Sequence, residues 1–309
     1  MNHMPAAASL RALLARSIDY AGLFPPADLA LEPAVENHGR YVREAEDWML
    51  GAFVIPVAQL DELGPLLQPF DVQHRLRISA LGRKTDLPNE FTSALQAATQ
   101  FIHDFEMRHG ATASATQIEM AFPAKAGAMV AEASAALVQR QLPTFWEAPT
   151  DDAEQIIGLL ARHHRESGVR HFGFKLRTGG VIASAFPSSV QIARALIAST
   201  EQRVPIKFTA GLHHPVRQFD SSVQAKMHGF LNVLGAGVLA AEHEWSVQQT
   251  AAMLDDEESG SFAFDDENMT WQAWKIPTGR IETHREIITS FGSCSFDEPR
   301  EDLRALGWL

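Results

Sequence analysis

The chain has 309 residues and a formal net charge of −12, with hydrophobic and charged fractions of 46% and 21%, the balance of an ordinary globular protein. An acidic surface repels nucleic-acid backbones and anionic membranes, so neither is expected as a partner, whereas a small anion in a local basic pocket stays compatible with it. The single cysteine, Cys294, allows no internal disulfide, and with no signal-type or membrane-spanning apolar run in view a cytoplasmic protein is expected.

Short β-type runs alternate with longer helical ones along the chain. "SIDYAGLF" (17–24) precedes the helical "EPAVENHGRYVREAED", and "GAFVIP" (51–56) precedes "VAQLDELGPLL". "HRLRISAL" (74–81) leads to a helix from Asn89 to Arg108, and "TQIEMAF" (116–122) to the helical "AGAMVAEASAALVQRQ". "LPTFWEAP" (142–149) is followed by "DDAEQIIGLLARHHRES", with Asp151 or Asp152 as its cap. "RHFGFKL" (170–176) is followed by "SSVQIARALIAST", capped by Ser188 or Ser189. "VPIKFTA" (204–210) precedes "FLNVLGAGVLAAEH", and "SFAFDD" (261–266) is taken as the eighth strand. The runs are apolar on both parities, as parallel strands covered on both faces are.

Eight such units predict an α/β protein of (β/α)8-barrel type, a single domain over 1–309 with residues 267–309 as a C-terminal excursion and tail packed on the barrel. An open doubly wound sheet fits less well, because no Gly-x-Gly-x-x-Gly or Walker-type loop follows any run. No cofactor is expected, and homo-oligomerisation is left open.

In a barrel the chemistry sits at the C-terminal ends of the strands. The polar residues falling there are Asp19, Glu119, Glu147, then Lys175, Arg177 and Thr178, then Lys207, Thr209, His213 and His214, with Arg217 and His228 shortly after. Alternation puts Lys175 and Arg177 on one side of their strand, and Lys207 and Thr209 on one side of theirs. If both sides face inward, the two lysines are neighbours. Two ammonium groups that close depress each other's pKa, and a neutral amine forms an imine with a carbonyl. The rival reading pairs both lysines with Glu119 and Glu147 in a structural ion network.

"KLRTGG" and "KFTAGL" resemble the patterns on strands six and seven of class I deoxyribose-phosphate aldolase, a (β/α)8-barrel family; Arg177 stands where that family has serine. The resemblance implies that Lys175 is the imine-forming lysine and Lys207 the neighbour that lowers its pKa. Taken together, "IDYAGLFPP", "FKLRTGG", "TAGLHHP", "HGFLN" and "FGSCSFDEP" also resemble a bacterial family of no assigned activity, which implies nothing about function.

The expectation is therefore lyase or aldolase-type chemistry on a small anionic carbonyl compound. Lys175, Lys207, Glu147 and Glu119 would be catalytic, and Arg177, Thr178, Thr209, His213, His214, Arg217 and His228 would bind substrate. A second reading is a metal-dependent hydrolase or lyase, with His213 or His214 joined by His228, Glu147 or Glu119. A third is a non-catalytic protein that binds a small anion. His163 and His164 are read as solvated surface, Cys294 as inert with no base near it, and the acidic run 255–259 as a solvated loop.

Overall fold

The computed structural model describes residues 6–123, 129–137 (the Glu132 side chain excepted) and 142–309. Its centre is a closed barrel of eight parallel strands in sequential order: β1 Ile18–Tyr20, β2 Leu50–Pro56, β3 Leu76–Leu81, β4 Ala113–Ala121, β5 Thr144–Glu147, β6 Phe172–Arg177, β7 Ile206–Thr209 and β8 Ile288–Ser293. Helices lie between successive strands, among them Leu31–Tyr41 after β1, Pro88–His109 after β3, Ala153–Ser167 after β5 and Ser189–Gln202 after β6. The predicted α/β class and (β/α)8 architecture are thus observed, with Lys175 directly opposite Lys207 on β6 and β7. The helix predicted from "AGAMVAEASAALVQRQ" is seen at Met129–Leu137; its remaining positions fall outside the described residues. Among the described residues no helix is long and apolar enough to cross a membrane.

The eighth strand lies elsewhere than expected. Phe262–Phe264, from the run "SFAFDD", is the first strand of a separate antiparallel sheet with Asn268–Trp271 and Trp274–Pro277. The barrel is closed instead by Ile288–Ser293, which pairs with β1 and β7, so the segment 267–309 supplies a barrel strand. A register shift between Ile288 and Phe291 breaks the alternation of β8, and its inward residues Ser290 and Gly292 are small, which hides it from an apolar pattern. The extra sheet has its own purpose in packing. The helix Phe230–His243 is buried from Phe230 to Ala240, and an all-apolar helix needs cover on every side. The barrel lies on one side of it, at Ile288 beside Gly237, and Met269 of the sheet lies on another, beside Gly235.

Local rules account for individual elements. Ser188 accepts from the Gln191 N–H while the Gln191 side chain accepts from the Ser188 N–H, a reciprocal cap that starts Ser189–Gln202. Asp152 flanks Ala153–Ser167 without a side-chain cap bond. In that helix Ile157, Leu160, Ala161 and His164 form one buried stripe, so His164 points inward and is not the solvated residue its charge suggested. Burial pushes its imidazole down to about 4.

Outside the barrel wall, Trp146 of β5 is fully buried among Phe91, Phe122 and Phe172, with the Phe122 ring stacked 4.6 Å away. Trp146→Ala is expected to cost about 3–5 kcal/mol, read as a lower urea midpoint with an unchanged denaturant slope.

Candidate active site

The barrel interior is charged. Its inward positions place Asp19 on β1, Glu119 on β4, Glu147 on β5, Lys175 and Arg177 on β6 and Lys207 on β7, and these six side chains touch in series. Lys207 Nζ donates to Asp19 Oδ2 at 2.8 Å and to Glu119 Oε1. Glu119 Oε2 lies 2.8 Å from Lys175 Nζ, Lys175 lies 3.0 Å from Glu147 Oε2, and Arg177 Nη2 lies 3.3 Å from Glu147 Oε1. Strand register sets this order, because Glu147 pairs with Lys175 and Lys175 with Lys207 across adjacent strands.

Glu119 is the centre of the series. It is 2% exposed, and its two oxygens serve different lysines while Ser79 Oγ donates to Oε1. Burial alone would raise its carboxyl, but Lys175 and Lys207 outweigh burial and hold it far below the usual carboxylate range. Glu147 is likewise lowered, by Lys175 and Arg177 against its own burial. Burial opposes the charge on Lys175 too, yet Glu119 and Glu147 together raise its pKa above the ordinary value. The expected depression of Lys175 by Lys207 is therefore overturned. A carboxylate lies between the two ammonium groups, and attraction at contact distance exceeds repulsion across it.

Above this series opens a pocket of about 490 Å³ at the C-terminal ends of the strands, a volume suited to a small ligand. Glu119, Glu147, Lys175, Arg177, Thr209 and His213 line it, and the rigid loop Phe24–Pro26 forms part of its wall. Lys207 does not reach the pocket; it is 1% exposed and sits beneath, over the Phe145 ring. The glycines in the two motifs serve close packing. A Cβ on Gly211, whose φ is +75°, would meet Gly179 Cα at 3.0 Å, so the loops after β6 and β7 touch because both positions lack side chains.

Other expected site residues are occupied elsewhere. Thr178 donates to the carbonyls of Thr209 and Ala210, tying the two loops. His214 Nδ1 is 2.7 Å from Asp302 Oδ2, on the helix Asp297–Ala305. His228 Nε2 donates to the Pro187 carbonyl and its Nδ1 accepts from Arg217, while burial lowers the imidazole to about 4. Thr178, His214, Arg217 and His228 thus lie outside the pocket lining. The three-ligand metal set does not assemble: among the described residues no group of three or more His, Cys, Asp or Glu is placed to hold an ion.

Three features escaped sequence reasoning. Asp19 was visible at a strand end but not as the terminal carboxylate of the series; Gly51 leaves room for it, since a Cβ there would lie 2.2 Å from Asp19 Oδ1. Lys84 lines the pocket from the loop after β3, where no strand-end count would place it. Cys294 also lines it and has a basic neighbour after all, with His213 Nδ1 3.8 Å from Sγ and 3.2 Å from Glu298 Oε2. That proximity joins residues 81 apart in sequence through β8, the strand that was misplaced.

Compared with known proteins, the chain matches no family model, and no curated protein matches it significantly. Fold and site define a (β/α)8 barrel with an ion-paired interior beneath a C-terminal pocket.

Two outcomes test this geometry. Glu119→Gln leaves two buried ammonium groups without their shared counter-charge and is expected to destabilise the fold by about 3–5 kcal/mol in urea unfolding. Burial disfavours charge on His213, but Cys294 and Glu298 raise it to about 9 from 6.5. A raised value means the stabilisation is complete below pH 6.5 and lost as pH rises through 9. Over that window the unfolding free energy is expected to fall by on the order of 2 kcal/mol, and the curve for His213→Asn is expected to be flatter.

Proposed function

We propose that the protein is a small-molecule enzyme of the lyase or aldolase type, acting on an anionic carbonyl compound through an imine on Lys175. The observation that carries this reading is the position of Lys175 Nζ at the pocket floor, in contact with two carboxylates. The local resemblance of "KLRTGG" and "KFTAGL" to class I deoxyribose-phosphate aldolase supports it as well.

In this mechanism Lys175 first gives a proton to Glu147, which is the more exposed of its two partners. The freed amine attacks the substrate carbonyl carbon. The carbonyl oxygen takes up protons and departs as water, leaving a protonated imine. That imine accepts the electron pair of the breaking carbon–carbon bond and becomes an enamine, while the other fragment gives its hydroxyl proton to Glu147, again a carboxylate, and leaves as an aldehyde. Protonation of the enamine and hydrolysis of the imine release product and restore Lys175. Glu119 keeps its charge throughout and balances Lys207. Arg177, half exposed at the rim, holds the substrate anion by a forked contact, with Lys84 and His213 on the same pocket wall.

A second reading draws support from the same ion pairs. If Lys175 stays an ammonium, the pocket binds a small anion and performs no chemistry. Borohydride trapping with a panel of small aldehydes and keto acids separates the two. The expected outcome is a reduced adduct mapped to Lys175 and lost in Lys175→Ala. Because the Lys175 pKa is raised, adduct yield should climb as pH increases above neutrality, and Glu147→Gln, by removing one counter-charge, should move that rise to lower pH. No adduct at any pH would leave the binding reading standing.

A further inference from the structure

The opposite mouth of the barrel holds a second cavity, of about 360 Å³, at the N-terminal ends of the strands. Four arginines line it: Arg16, Arg77, Arg170 and Arg285. Arg285 is committed to the backbone, donating to the carbonyls of Ala15, Ile288 and Thr289. Arg16, Arg77 and Arg170 have no ion-pair partner among the described residues. Two acidic residues line the cavity, and neither forms an ion pair with these three arginines. Asp19 spends its oxygens on the Ala52 N–H at 2.7 Å, Gln117 at 3.0 Å, Ser290 at 2.7 Å and Lys207 at 2.8 Å. Glu286 is exposed and pairs with no described residue.

Two of the arginines are also incompletely solvated. Nε of Arg77 and Nε of Arg285 are buried without a hydrogen-bond partner. A buried donor left unpaired is costly, and a partly buried guanidinium facing a second one is more so. Burial first, and Arg16 second, hold Arg77 below its ordinary value against the opposing pull of Asp19. In a chain of net charge −12 this is a concentrated positive field, which Asp19 offsets only in part at Arg77 and Arg285.

We propose that the N-terminal mouth of the barrel binds a free phosphate-type dianion, either inorganic phosphate or a small phosphate monoester, gripped by Arg77 with Arg16 and Arg170. Guanidinium forks match the oxygens of such an anion and supply the missing charge and acceptors together. The cavity volume suits a ligand of that size. The site is separate from the C-terminal pocket, with Asp19, Lys207 and Glu119 stacked between them, and it stands whether or not Lys175 forms an imine.

The test is calorimetric titration of the whole protein with inorganic phosphate, at an ionic strength held constant with chloride. Wild type is expected to bind one phosphate, and Arg77→Gln and Arg16→Gln each to weaken it at least about tenfold. Arg177→Gln, which removes the anion contact proposed for the C-terminal pocket, should leave this binding event in place, and Arg194→Gln, exposed on the helix Ser189–Gln202, should bind as wild type does. Arg16 is exposed, so its variant decides the matter if Arg77→Gln fails to fold in a thermal melt. No binding by wild type, binding that survives both substitutions, or binding lost in Arg177→Gln overturns the proposal.

Discussion

A charge placed inside a protein costs several kcal/mol unless an opposite charge touches it, and this barrel encloses a whole series of them. Asp19, Lys207, Glu119, Lys175, Glu147 and Arg177 alternate in sign from one contact to the next. None of its buried members is tolerable alone. Glu119 and Glu147 are held as anions by the cations against them, and Lys175 owes its charge to the same contacts. The constraint reaches into strand pairing, since a slip of one residue would turn every inward side chain outward. It also explains the small or hydroxylic neighbours. Gly51 makes room for Asp19, Ser79 satisfies Glu119 and Ser290 satisfies Asp19.

The series has two unlike ends. At the C-terminal end Glu147 and Arg177 open into a pocket whose walls come from loops, where side chains are free to meet a ligand. At the N-terminal end Asp19 closes the series with four donors on its two oxygens, and the neighbouring Arg16, Arg77 and Arg170 form no ion pair with a described residue. The helix Asp297–Ala305 secures the upper end from outside, with Glu298 on His213 and Asp302 on His214. The adjacent histidines therefore act as fastenings to one helix, which is why they do not turn together toward the pocket.

Much of this was legible in the sequence, and what was hidden has physical reasons. Seven strands announced themselves because burial on both faces demands apolar runs, and Lys175 and Lys207 stood out against that background. Their adjacency followed from one strand–helix unit of spacing. The sign of the Lys175 shift did not follow, because it depends on Glu119 lying between the lysines, a fact of three-dimensional register that no strand-end count contains. Cys294 and His213 were both visible, but their meeting required β8, whose register shift and small inward residues erase the periodic signal. His164 could have been read correctly, since it continues the stripe Ile157, Leu160 and Ala161; its polarity outweighed its position.

The closure of the barrel has a consequence for how the chain acquires its structure. Ile18 on β1 faces Phe291 on β8, so the final seam joins segments from nearly opposite ends of the sequence. Such a seam contributes nothing until almost everything between is in place, and contacts of this separation form slowly. Until it forms, β1 and β8 each present an unpaired edge, the kind of template on which chains stick to one another. Asp19 waits on the same event, because Ser290, one of its four donors, arrives only with β8. Assembly of the charged interior and protection of the sheet edges are thereby one step, and a chain halted short of it would be both electrostatically incomplete and prone to aggregate.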